Sequence, residues 1–147
     1  MATPSAARTD QQARPEGGRA LLYVYRAQGA YYIASGLWPI LSIGTFEAVT
    51  GPKTDDWLVK TVGILVTVIG VAISAAGWRG RTSLETWLLA LGSAAALTAI
   101  DVIYVALGTI PPIYLVDAAA EAILVALLAV NYRRRKKLPN AHAEHDN

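Results

Sequence analysis

Four apolar stretches, Tyr23 to Ile43, Trp57 to Trp78, Leu84 to Leu107 and Ile113 to Tyr132, take up most of the 147 residues. Each has the length a helix needs to cross a hydrocarbon core of about 30 Å. No room remains for a separate soluble domain. The chain therefore reads as one transmembrane domain, 21–132, between a flexible cytoplasmic N-terminal tail, 1–20, and a basic then polar cytoplasmic C-terminal tail, 133–147. A charged fraction of 16% against 54% hydrophobic residues fits this reading, since soluble domains carry about 25% charge. Cysteine is absent, which excludes thiol redox chemistry and thiolate metal sites. The two histidines, His142 and His145, lie in the terminal tail, so a histidine-held haem or metal inside the membrane is excluded too. No metal or cofactor is expected.

The net charge of +2 is not a nucleic-acid footprint, because the basic residues are segregated by connection. Arg8, Arg14 and Arg19 precede the first span, Arg79 and Arg81 separate the second from the third, and Arg133, Arg134, Arg135, Lys136 and Lys137 follow the fourth. Between the first and second spans Lys53 stands beside Asp55 and Asp56, and the third connection carries no charge. The positive-inside rule then predicts cytoplasmic termini. The basic run after Tyr132 is expected to meet anionic headgroups, each charge contributing about 1 kcal/mol near the surface.

Short connections predict antiparallel neighbours, and so an all-α up-down-up-down four-helix bundle. Thr50 to Asp56 combines a Gly-Pro turn with acids suited to a helix start. Thr82 to Glu85 fits a capping box. Gly108 suits a helix end, and Pro111 and Pro112 suit the start of the next helix. Small residues at every fourth position, Ala118, Ala122 and Ala126, then Gly92 and Ala96, then Gly70 and Ser74, are candidate close-packing stripes.

The spans also carry ionisable groups, which are costly in hydrocarbon and point to a purpose. Asp117 and Glu121 are four apart and share a helix face. At about 1.5 Å of rise per residue, Lys60 lies roughly 5 Å, Asp117 roughly 6 Å, Asp101 roughly 9 Å and Glu121 roughly 12 Å from the outer end of its span. Thr98 and Tyr104 flank Asp101 at helical spacing, and Gln28, Tyr32, Ser35 and Ser42 form a stripe on the first span. Asp101, Asp117, Glu121, Lys60, Thr98, Tyr104, Gln28 and Tyr32 are thus candidates for one acidic pocket that binds a proton or a cationic ligand. The bland reading of the same residues is a buried network, with Lys60 paired to one acid and another acid kept protonated. Arg26, about 5 Å from the inner edge, reads as a side chain that reaches back to the headgroups.

The stretch Tyr31 to Pro39, followed by Ser42, Phe46-Glu47, Thr50 to Lys53, Asp56-Trp57-Leu58 and Gly63, resembles a pattern in small uncharacterised bacterial four-span proteins. That resemblance implies a bacterial plasma membrane and brings no activity with it. The architecture is also similar to the four-span DoxX-like and emopamil-binding-type bundles, at the level of fold alone. Three functions are compatible with the residues. The first is binding or transport of a cationic or proton-coupled small ligand, for which four helices would need a homodimer or a partner subunit. The second is a membrane-embedded lipid-modifying or isomerase-type enzyme, with one acid donating and another accepting a proton. The third is a structural or accessory subunit.

Overall fold

A computed structural model describes residues 16–136, with side chains from 18 to 135. Residues 1–15 and 137–147, which include Lys137, His142 and His145, lie outside the described residues. In chain order the helices are α1 (Glu16–Leu41), α2 (Ile43–Thr50), α3 (Asp56–Trp78), α4 (Leu84–Ala106) and α5 (Tyr114–Lys136). No strand occurs among the described residues. α3, α4 and α5 are each long and apolar enough to cross a membrane, and α1 joins them only when taken together with α2. Their outward faces carry Val, Leu and Ile, among them Leu65, Val68, Ile103 and Val116, each about half exposed or more. Apolar exteriors of this kind belong in lipid. The chain is a multi-pass helical membrane protein.

The first span differs from the expected straight run of 23–43. α1 starts at Glu16, within the expected tail, and breaks at Ser42, beyond which α2 turns away by 110°. Pro39 supplies no N–H to the last turn of α1, and Ser42 leaves helical geometry at φ −153°, ψ 85°. The elbow is then held by side chains. The Trp38 ring meets Phe46 edge-on at 5.6 Å, and the Trp38 Nε1–H donates to Thr45 Oγ1 at 3.0 Å. At the other terminus α5 runs through Arg133, Arg134 and Arg135 instead of ending at Tyr132. Arginine is a good helix former, and cations near a helix C-terminus are stabilising.

The remaining helix ends follow from local chemistry. Gly108 takes φ +70° after α4, so that Gly108 N–H donates to Val105 O and Thr109 N–H to Tyr104 O, each at 2.9 Å. This is the double bond of a Schellman end. The cap of α4 is Ser83 rather than Thr82, with Ser83 Oγ accepting from Thr86 N–H at 3.3 Å. Ser83 already has the extended backbone a cap requires, one residue later than the expected box.

The tightest packing is between α1 and α3. Gly36 lies opposite Gly63 and Gly29 opposite Gly70, while Leu22 backs onto Gly77, so the two helices run antiparallel with contacts repeating every seven residues. A Cβ on Gly36 would lie 2.5 Å from Gly63 O, and one on Gly63 would lie 2.6 Å from Gly36 O. The two backbones are therefore in van der Waals contact. α4 packs on α5, α5 packs on α1, and α3 and α4 touch only sparsely. The long helices thus pack unevenly, with α1 making the most extensive contacts. Of the expected four-residue stripes, Gly70 and Ser74 do face α1. Gly92, Ala96, Ala122 and Ala126 are exposed, and Gly92 has nothing near it.

Candidate functional site: an acid and tyrosine cluster between α1, α4 and α5

α1 presents two adjacent seams. Leu22, Arg26, Gly29, Ile33 and Gly36 line the side toward α3, and Leu21, Tyr25, Gln28, Tyr32 and Ser35 recur at the same alternating spacing on the other. That second seam faces α4 and α5, with Leu21, Tyr25, Ile73, Ala90 and Leu128 making its apolar base. Because protein rather than lipid surrounds it on both sides, α1 can carry Gln28 and two tyrosines. This explains why its composition alone falls short of a spanning helix.

The polar groups converge above that base. Tyr32 O–H donates to Glu121 Oε2 at 3.0 Å, and Tyr31 O–H donates to Asp117 Oδ1. Gln28 Nε2–H donates to Ala90 O at 2.8 Å, tying α1 to the backbone of α4. Asp101 of α4 faces Asp117 of α5, with the carboxyls within hydrogen-bonding reach once one of them holds a proton. Ser93 and Gln28 also approach the Tyr32 hydroxyl. Glu121 is 1% exposed, Asp101 5% and Gln28 0%, so the centre of the cluster is closed off from the protein surface.

Among the described residues three oxygens inside it have no hydrogen-bond partner, Asp101 Oδ2, Glu121 Oε1 and Gln28 Oε1, and neither has Tyr25 Oη in the base beneath. Among the described residues no ion pair reaches any of the acids, and no group of acids and histidines converges tightly enough to hold a metal ion. Carboxylates this close repel strongly in a medium of low dielectric. The arrangement therefore has acceptors to spare and no built-in counter-charge, which is what a site for protons or an organic cation requires.

Of the residues singled out from sequence, Asp101, Asp117, Glu121, Gln28 and Tyr32 are brought together. Three others are not. Thr98 O–H donates to Ala94 O of its own helix at 2.8 Å, the usual way a hydroxyl is satisfied in lipid. Tyr104 is 45% exposed on the outer face of α4. Lys60 lies on α3, level with Pro39 in the glycine register, and makes no hydrogen bond or ion pair among the described residues. The pairing of Lys60 with an acid that the bland reading requires does not occur among the described residues, because α3 packs against α1 and hardly meets α4. Lys60→Met combined with Asp101→Asn, or with Asp117→Asn, should change stability additively to within about 0.5 kcal/mol. A coupling well above that in a double-mutant cycle would put Lys60 at the acids.

Tyr31 was missed in the sequence, although Gln28, Tyr31, Tyr32 and Ser35 complete an i, i+3, i+4, i+7 face. Ser42, counted in the same stripe, lies at the break after α1. The 51–53 turn lies against the start of α5. Glu47 Oε1 accepts from Lys53 N–H at 2.7 Å, and Lys53 Nζ sits 5.1 Å over the Tyr114 ring, one turn from Asp117. No family model, no curated protein and no solved structure matches the chain.

Proposed function

We propose that this protein is a proton-binding membrane module, in which Asp101, Asp117 and Glu121 hold and release protons that are coupled to a small cationic ligand. The observation that carries the reading is the set of unpartnered buried oxygens on Asp101, Glu121 and Gln28. A network built only to fix helix register would satisfy these atoms, since an unmade buried hydrogen bond costs about 1–3 kcal/mol. Each acid has a distinct part. Asp101 and Asp117 share a site across two helices, Tyr31 orients Asp117, and Tyr32 holds one Glu121 oxygen while leaving the other free. Proton passage between neighbouring hydroxyl and carboxyl groups needs only the exchange of donor and acceptor.

In the same proposal α1 with α2 forms the first of four spans, both termini lie on the cytoplasmic side of a bacterial plasma membrane, and the cluster sits in the outer half. The asymmetry of Arg and Lys between connections supports that orientation. Arg133 and Arg134 are exposed at the end of α5, where anionic lipid can meet them. The small enclosed volume favours transport by a homodimer or with a partner subunit.

The test is proton uptake by proteoliposomes after a pH jump, with Asp101→Asn, Asp117→Asn and Glu121→Gln compared with the parent protein. Uptake should fall at least tenfold for Asp101→Asn and Glu121→Gln, a loss on the order of 1.4 kcal/mol or more. Parental uptake in all three variants would refute the proposal.

A further inference from the structure

At the opposite end of the α1–α3 seam the structure builds a second polar feature, independent of the acid cluster. Arg26 lies across the C-terminal end of α3, where its Nε–H donates to Gly77 O at 3.1 Å. Its guanidinium stands 4.3 Å over the Trp78 ring and 5.4 Å from the Tyr23 ring, within cation–π range of both. Gly77 makes this possible, because a Cβ there would come within 3.0 Å of Arg26 Cγ and 3.1 Å of Leu22 O. A glycine cradle, a carbonyl and two rings thus fix a guanidinium in one place.

What they fix it for is not an internal partner. No carboxylate pairs with Arg26, and its two terminal nitrogens make no hydrogen bond among the described residues. The two rings are exposed, Tyr23 by 63% and Trp78 by 71%. Arg19 lies two turns before Arg26 on the same face of α1, and Arg79 follows α3 directly, both of them exposed. The cradle therefore opens on an unbalanced positive patch. Nearby cations repel, and an anion seated among these arginines would relieve that repulsion and be attracted by all of them.

We infer that Arg26, clamped between Tyr23 and Trp78 and assisted by Arg19 and Arg79, binds the phosphodiester of an anionic phospholipid. The planar guanidinium offers paired N–H groups that match two phosphate oxygens, a geometry that lysine lacks. Tyrosine and tryptophan are the residues that settle at headgroup level, which puts the free face of Arg26 at the depth of the phosphates. Such a lipid would sit against the α1–α3 seam rather than beside the basic run of α5.

Tryptophan quenching by bromine-labelled lipid tests this in mixed micelles, with phosphatidylglycerol compared against phosphatidylcholine. The parent protein should prefer phosphatidylglycerol at least tenfold. Arg26→Gln should erase that preference, Arg26→Lys should retain only part of it, and Trp78→Phe should remove the part of the quenching that distinguishes phosphatidylglycerol from phosphatidylcholine. Arg133→Gln, on α5, should keep the preference. Inorganic phosphate at millimolar concentration should not compete, and competition would show that the site takes free phosphate and would overturn the lipid assignment. An unchanged preference in Arg26→Gln, or an equal loss in Arg133→Gln, would overturn it as well. Should Arg26→Gln lose its helical circular dichroism, the exposed pair Arg19→Gln and Arg79→Gln decides, with a severalfold drop expected and no drop refuting the site.

Discussion

Gly70→Leu is expected to prevent α1 from docking on α3, lowering the stability of the folded protein by about 3 kcal/mol or more. A Cβ at position 70 would already stand 2.8 Å from Gly29 O and 2.8 Å from Tyr32 Cβ, and both are held in the centre of the fold. Backbone cannot give way as the end of a flexible side chain can, so the helices must separate. Overpacking in closely fitted interiors costs about 1–3 kcal/mol even where some relaxation is allowed. Separation would also move Tyr32 away from Glu121, so the acid cluster should be lost along with the seam. Gly92→Leu is the matched control, since nothing lies within reach of a Cβ there. Thermal or detergent-induced unfolding should show a large drop for Gly70→Leu and less than about 0.5 kcal/mol for Gly92→Leu. Equal behaviour of the two would show that α1 and α3 do not pack through their glycines.

The second large effect has the opposite sign. Asp101→Asn, which should remove proton uptake, should also raise stability, by about 1–3 kcal/mol. In the parent protein Asp101 Oδ2 is buried without a partner and its carboxyl faces that of Asp117. An amide of the same shape carries no charge and brings an N–H that Asp117 can accept. Groups selected for function commonly cost stability in this way. The unfolding midpoint of Asp101→Asn should therefore rise by several degrees while uptake fails. A lower midpoint would mean that the carboxyl serves the fold, and the proton-binding reading would lose its main support.

Much of the architecture was legible because lipid imposes simple rules. Backbone groups must be satisfied within a helix, so runs of about twenty apolar residues can hardly be anything else. Those rules placed α3, α4 and α5 to within a few residues and located the glycine that ends α4. They also singled out Asp101 and Glu121, since an acid in an apolar run is conspicuous whatever surrounds it. The glycines at 29 and 36, and at 63, 70 and 77, were equally visible as a seven-residue repeat. The four-residue stripes share only Gly70 with that repeat, and most of their small residues face outward.

Hydropathy cannot separate the two cases. In lipid, packed and exposed faces are equally apolar, and no hydrophobic force marks which one meets a neighbour. Only the tertiary structure decided that α1 lies between α3 and α5 and that Lys60 is carried away from the acids. It alone brought Tyr31 to Asp117, 86 residues apart in sequence, and turned Arg26 onto Trp78. Sequence by itself determined the three long apolar helices α3, α4 and α5 and which charges need an explanation, because both are properties of single helices in an apolar solvent. Which charges meet depends on the order and register of packing, and that was set by a few glycines whose only contribution is the space they leave.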